Sequence, residues 1–266
     1  MHITGAQKTM TNTAAIDSFP HTRRFGLELE FFNISQGRVK TLLEGAGISC
    51  WRSYYENSGT GWKITDDGSI DGDYSVELVS PILSGVEGLR EVVRVVKILS
   101  DAGAKVNKSC GLHVHVDAND LSSKVLFNVY RRYALHEDQI DSFMVKSRRE
   151  NNNEYCKSTR TILDRTTVAT DNLSALDAAK LMDECYFHGY WSGGRYNKVN
   201  LCAYLRHGTI EFRHHGGTVN VEKVLSWIMF CVNFVETSKD SESANIFTNV
   251  HPDVVNFFNQ RTIALA

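Results

Sequence analysis

Gly111-Leu112-His113-Val114-His115-Val116-Asp117 alternates apolar and polar side chains without a break. Strand side chains alternate with period two, so Leu112, Val114 and Val116 share one face while His113, His115 and Asp117 share the other. Such a strand buries its apolar face and offers two imidazoles and a carboxylate to one ion or one polyphosphate. Working outward, Phe25-Gly-Leu-Glu28-Leu-Glu30-Phe-Phe32 and Thr209-Ile-Glu211-Phe-Arg213 repeat the device, each aiming two ionisable groups to one side. Tyr74-Ser-Val-Glu77-Leu-Val-Ser80 reads as a further strand with Ser75, Glu77 and Val79 on one face, ended by Pro81.

Glu28, Glu30, Glu77 and Glu211 thus supply four carboxylates from separate strand-like runs. Carboxylates converging on one concave face raise each other's pKa unless cations join them. An oxygen-rich set with one or two imidazoles suits Mg²⁺ or Mn²⁺ on nucleotide phosphates better than a structural zinc site. Arg213 beside Glu211 then makes a fixed fork for phosphate. Taken singly, each motif has a plainer reading. Glu-x-Glu is commonly the solvated face of an edge strand, His-x-His a satisfied strand pair, and Glu-Phe-Arg a surface ion pair of small consequence. Their shared in-out alternation is what points to a site.

With 266 residues the chain suits one large domain or two small ones, and 42% hydrophobic with 23% charged residues is ordinary for a soluble protein. A formal net charge of -2 gives no general attraction to nucleic acid or anionic membrane. The six cysteines are scattered without a CxxC pair, which fits a reducing cytoplasm. Cys110 and Cys202 read as core residues. Residues 1–21 read as a polar leader without secretory character, 22–240 as the main domain and 241–266 as a helical tail packed on it. The longest apolar stretch, Val224 to Val235, is too short to span a bilayer. The expectation is a cytoplasmic protein.

Along the chain, Arg24 to Asn33 reads as the first strand and Thr41 to Ser49 as a short helix. Trp51 to Ser58 reads as strand and loop, Gly61 to Thr65 as another strand, and Asp66-Asp-Gly-Ser69 as a turn. Helices are expected over Glu87 to Gly103, Lys124 to Phe143, Ser174 to Tyr186 (with a cap formed by Ser174 and Asp177) and Val221 to Thr237. Ser147 to Tyr155 reads as a polar loop. Tyr196 to Leu205 and Gly208 to His214 read as a hairpin around Arg206-His207-Gly208. Strands interspersed with helices, without a βαβ rhythm, predict an α+β fold with a largely antiparallel sheet.

The order of these motifs resembles the amidoligase family, in the carboxylate-amine ligase superfamily of glutamine synthetase and glutamate-cysteine ligase. The residues carrying the likeness are the Glu28/Glu30 strand, Trp62-Lys63-Ile-Thr-Asp-Asp67-Gly-Ser69, Val76-Glu77-Leu-Val-Ser-Pro81, the double-histidine strand, Arg195-Tyr-Asn-Lys-Val-Asn200, Glu211-Phe-Arg213 and Gly217-Thr218. They run from about Phe25 to Glu236. The resemblance implies a curved, mainly antiparallel sheet forming a funnel, with helices on its outer side, ATP and divalent ions within, and amide-bond formation through an acyl phosphate.

By motif position the resemblance makes Glu28, Glu30, Glu77, His113 and Glu211 metal ligands. It brings His115, Arg213 and Glu30 to the nucleotide phosphates, and gives Glu28, Glu77 and Arg213 catalytic roles. Lys63, Asp67 and Ser69 match a substrate-binding motif, though a hairpin turn explains them equally well. Arg148 and Arg149 match an arginine motif that would grip a substrate carboxylate, against the plainer reading of a solvated basic loop. Arg195 and Asn200 match as well, with Asn200 equally able to satisfy strand backbone. Substrate loops are expected at Arg52 to Gly61 and Arg148 to Thr170. The expected partners are an amine and a carboxylate, or a peptide or protein, with oligomers possible. Three alternatives stay open: a guanidino-kinase-type phosphotransferase, an inactive nucleotide- or peptide-binding module, and a hydrolase with a transition metal on His113 and His115.

Overall fold

The computed structural model describes residues 13–54, 59–160, 174–177, 194–240 and 244–266. Eight strands make one sheet: β1 (Arg24–Phe31), β2 (Cys50–Arg52), β3 (Trp62–Thr65), β4 (Val76–Val79), β5 (Leu83–Ser84), β6 (Gly111–Asp117), β7 (Val199–Asn200) and β8 (Thr209–Gly216). Their order is β2-β3-β4-β1-β6-β8-β7, with β5 against the start of β1. Only β2 with β3 is parallel among these pairings. The fold is α+β with a mostly antiparallel open sheet.

Alternation decides the two faces. Leu27, Leu29, Phe31, Leu112, Val114, Val116 and Phe212 point to one side and are buried. There they join Leu89, Val92 and Val96 of the helix Gly85–Asp101 and Trp227, Phe230 and Phe234 of the helix Val221–Thr237 in a single apolar cluster. The opposite side of β1, β4, β6 and β8 carries the ionisable residues. Because side chains from non-adjacent strands are fixed on a hydrogen-bonded ladder, their spacing is set by register.

Several expected elements differ in extent. The helix expected from Thr41 instead spans Gln36–Gly45, since the Ser35 hydroxyl accepts the Arg38 N–H and caps it early. The single helix expected from Lys124 to Phe143 is two, Ser123–Leu135 and Glu137–Ser142, broken at His136 (φ -104°, ψ 11°). That break swings Glu137 and Asp141 toward a buried lysine, Lys198. The strand expected through Leu205 stops at Asn200, whose side-chain oxygen accepts the Cys202 N–H at 2.9 Å in a local turn. A short helix, Ala203–His207, follows and ends on Gly208 at φ 64°, where a Cβ would also strike Asn119.

Ser174 accepts the Asp177 N–H at 3.1 Å and donates to its carboxylate at 2.6 Å, as the expected cap requires. The rest of that expected helix, 178–186, lies outside the described residues, as do 55–58, 161–170 and 1–12. Within the expected leader, Thr13–Asp17 is helical and buries Ala15 and Ile16. The C-terminal helix Pro252–Leu265 buries Val254 and Phe258. No described helix is long and apolar enough to cross a membrane.

Candidate active site

Three rows of the sheet assemble the charged side. Glu30 lies opposite Glu77 across β1 and β4. Glu28 lies opposite His113 across β1 and β6. His115 lies opposite Glu211, and Glu211 opposite Asn200, across β6, β8 and β7. The four carboxylates therefore come from β1, β4 and β8, and the imidazoles from β6 between them.

The contacts are close. His113 Nδ1 is 2.9 Å from Glu28 Oε2 and 3.6 Å from Glu211 Oε1, while its Nε2 is 3.6 Å from Glu30 Oε1. His115 Nε2 is 3.3 Å from Glu28 Oε1 and 3.9 Å from Glu211 Oε1, and its Nδ1 shares a 2.9 Å hydrogen bond with the Thr209 hydroxyl. Arg213 pairs with Glu211 at 2.5 Å, and Asn200 donates to the other Glu211 oxygen at 2.6 Å. Glu211 is thus a buried, doubly held carboxylate, and the plain surface-pair reading of Glu211 and Arg213 does not apply. The Gly111 N–H donates to Glu30 at 2.5 Å, and a Cβ on Gly111 would stand 2.5 Å from the His113 ring. Glycine there gives the ring its room.

The protonation pattern marks an incomplete charge balance. Burial raises the Glu77 carboxyl to about 8, with the charges of Glu28, Glu30 and Asp67 adding to it and Lys63 opposing. Burial also pushes Glu28 up, but hydrogen bonds from His113 and His115 more than offset it and hold Glu28 well below the usual range. Burial works against the His115 cation, yet the Glu28 hydrogen bond and the Glu211 charge leave its pKa raised. Burial likewise opposes the Glu211 carboxylate, and the Arg213 and His115 charges outweigh it. The proton on Glu77 does here what a bound cation would do.

These groups line a cleft of about 500 Å³, and every residue predicted to form the site except Lys63, Arg149 and Asp117 borders it. Lys63 lies on β3 beside Val79, near enough for its charge to act on Glu77. Asp67 accepts the Ser69 N–H at 2.7 Å, so the expected turn is present and the turn itself forms part of the cleft wall. Arg148 corrects the solvated-loop reading: it is buried, and its Nη2 donates to the Cys110 carbonyl at 2.7 Å. Arg149 instead reaches the Met144 and Leu265 carbonyls. Asp117 shares the alternation of His113 and His115 but pairs with Arg24 at 2.8 Å, away from the cluster. Cys202, read as core, borders the cleft, whereas Cys110 is buried as expected.

Metal ligation has a compact candidate. Among the described residues, Glu28, His115 and Glu211 each offer one donor atom, and the three atoms lie within 4.8 Å of one another. This set takes the imidazole that the resemblance assigns to phosphate rather than His113, which sits deeper with a side chain only 4% exposed.

A family model described as "Putative amidoligase enzyme" matches residues 21–235. The chain belongs to the amidoligase family. Comparison of the chain with curated proteins gives no match. Among solved structures it is similar to a bifunctional glutathione synthetase from Pasteurella multocida, with 11% identity and a TM-score of 0.40. The alignment covers 96% of this chain and 48% of the synthetase, so the chain spans about half the length of that protein.

Among the cleft residues that sequence reasoning left out are Tyr155, Tyr196, Arg206 and His207. Tyr196 stacks edge-on with Tyr155 at 5.5 Å and lies under Arg195 at 5.1 Å. The His207 ring meets His115 edge-on at 5.9 Å. Tyr196 stands beside a motif arginine, which was the available signal. Arg206 and His207 were read as a hairpin turn, and nothing local distinguishes a turn histidine from one facing a cleft.

Proposed function

We propose that the protein is an ATP- and divalent-metal-dependent carboxylate-amine ligase working in a funnel-like cleft on the sheet's charged face. The observation carrying this reading is that Glu28, Glu30, Glu77, Glu211, His113, His115 and Arg213 meet in one cleft, where burial and crowded negative charge raise the Glu77 carboxyl to about 8. Membership of a family described as amidoligases supports it at the level of reaction class.

Glu28, His115 and Glu211 would hold a divalent ion, with Glu30, Glu77 and His113 around it. Bound there, such an ion supplies charge neutralisation to a polyphosphate. Arg213 is buried against Glu211, and its Nε also donates to the Tyr155 carbonyl at 3.3 Å, so the guanidinium is fixed before a phosphoryl group arrives. A substrate carboxylate oxygen attacks the γ-phosphorus, and the bond to ADP breaks. An amine nitrogen then attacks the acyl carbon, phosphate leaves with the C–O electrons, and the nitrogen loses a proton. Arg148, Arg195, Asp67 and Ser69 border the same cleft and would hold the organic substrates.

Purified protein with ATP, Mg²⁺ and panels of acids and amines tests this. The expected result is ADP and phosphate release that requires both an acid and an amine. Release of AMP and pyrophosphate, or zinc-dependent hydrolysis without ATP, would overturn it. A stable phosphorylated product with no amide would move the assignment to a phosphotransferase.

A further inference from the structure

On the helix side of β8, under the candidate site, lies a second cluster of ionisable groups, all of them buried. Lys198 is fully buried, its ammonium 3.0 Å from Glu137 and 2.6 Å from Asp141. His214 Nε2 stands 2.7 Å from the same Asp141 oxygen, and the Tyr133 hydroxyl stands 2.7 Å from His214 Nδ1. The remaining oxygens are taken by backbone: Glu137 accepts Thr159 N–H at 2.7 Å and Asp141 accepts Glu150 N–H at 2.8 Å.

The cluster is wired directly to cleft residues. The Lys198 carbonyl accepts the Arg213 N–H at 2.8 Å. Two residues on, Asn200 holds Glu211 by its side-chain amide. His214 follows Arg213 in sequence, and the register of β8 against β6 slips there between Leu112 and Val114. The extra residue breaks strict alternation, so that His214 and His215 are both buried while Arg213 faces the cleft. Asp141 beside the His214 ring and the Lys198 carbonyl on the Arg213 N–H hold the bulge from its two sides.

We propose that Lys198, with Glu137 and Asp141, is a positioning device that locks the bulge of β8 against β6 and so sets where Arg213 and Glu211 stand in the cleft. This inference rests on the ligase reading only for the use made of the cleft; the locking itself does not depend on it. Buried ion clusters are poor sources of net stability, because desolvation cancels most of the attraction. Their best-attested role is to specify one arrangement among several. Here the arrangement specified is that of a guanidinium and a carboxylate two residues apart.

The test uses the full chain and the variant Lys198→Met/Glu137→Gln/Asp141→Asn, which removes all three charges together and leaves amide oxygens for the Thr159 and Glu150 N–H groups. Mn²⁺ affinity reports on Glu211 and pyrophosphate affinity on Arg213. Both are measured well below each protein's melting temperature, so a purely structural role would leave them unchanged. The expectation is a loss of about tenfold or more in at least one affinity, the usual cost of removing the support behind a ligand. Restoring the lysine and both carboxylates should return it. Wild-type affinities in the folded triple variant would overturn the proposal. If the parent chain binds neither ion, the ligase reading falls, and a crystal structure of the triple variant still decides the matter. Arg213 and Glu211 displaced from their pair would support the lock; the pair in its original place would overturn it. The conservative variant Asp141→Asn alone is expected to show a smaller loss than the triple, since Glu137 still holds the lysine.

Discussion

Strand β8 separates two clusters of charge built by opposite rules. Beneath it, Lys198, Glu137, Asp141, His214 and Tyr133 are buried, and the two carboxylates share one ammonium and each accept a backbone N–H. Above it, four glutamates converge on two histidines and Arg213 beside a cleft, and one glutamate is kept protonated to about 8. The first cluster is closed, since every charge has its partner within the chain. The second is open, and only a ligand with positive charge completes it. An enclosed cluster with its polar groups bonded within the chain specifies structure; one that opens on a cavity specifies binding.

The comparison breaks most sharply through the glutamates that the open cluster would use. Glu28→Ala or Glu211→Ala should lower ligase turnover by about a hundredfold or more, with far-ultraviolet circular dichroism and melting behaviour close to the parent. Turnover within a few-fold of the parent would refute the role of that cluster.

The closed cluster should respond in stability instead. Lys198→Met leaves two carboxylates buried without their cation and is expected to cost about 3–5 kcal/mol in urea unfolding. In the open cluster the same kind of change has the opposite sign. Glu77→Gln removes a carboxyl that must otherwise be protonated, and should stabilise the metal-free protein above pH 8. A drop in stability on making Glu77→Gln would mean that Glu77 is already paired within the fold.

The two clusters also titrate in opposite directions. The Glu77 value of about 8 in the folded chain lies above its ordinary 4.5, so the folded state keeps a proton that the unfolded state has released. Metal-free stability should therefore be lost as pH rises from about 4.5 through 8. His214, lowered by burial to about 4 from 6.5, holds fewer protons folded than unfolded, and its contribution is lost as pH falls from 6.5 through 4. Melting curves across this range for Glu77→Gln and His214→Gln should each flatten one limb. Both limbs surviving both substitutions would show that other groups control them.

Divalent binding gives a smaller, graded effect. A cation entering beside Glu77 displaces its proton, so apparent Mn²⁺ affinity should rise by up to about tenfold per pH unit until pH 8 and then level off. Isothermal titration in buffers of different ionisation enthalpy counts the protons released. A release of none would detach Glu77 from the metal.

Much of the open cluster was legible from the chain because it sits on strands. Alternation in Leu112 to Asp117, in Leu27 to Phe31 and in Ile210 to Arg213 marks which side chains share a face, and period two is a local property of an extended backbone. The closed cluster was not legible. Lys198 lay inside a motif noted for Arg195 and Asn200, and Glu137 and Asp141 inside an expected continuous helix. Their meeting depends on the break at His136 and on pairings across sixty residues of chain. Arg148 was misjudged for the same reason, since a basic loop and a buried guanidinium on a carbonyl have the same sequence.

What the sequence determined by itself was the in-out assignment of the strand residues, the helix Val221–Thr237 and the family. Each rests on interactions between residues a few positions apart or on the order of motifs. Only the tertiary structure decided that both imidazoles meet Glu28 and Glu211, where Asp117 goes, and what stands behind Arg213. Those depend on strand register and on a one-residue bulge, and a shift of one residue in either would send the same side chains to the other face of the sheet.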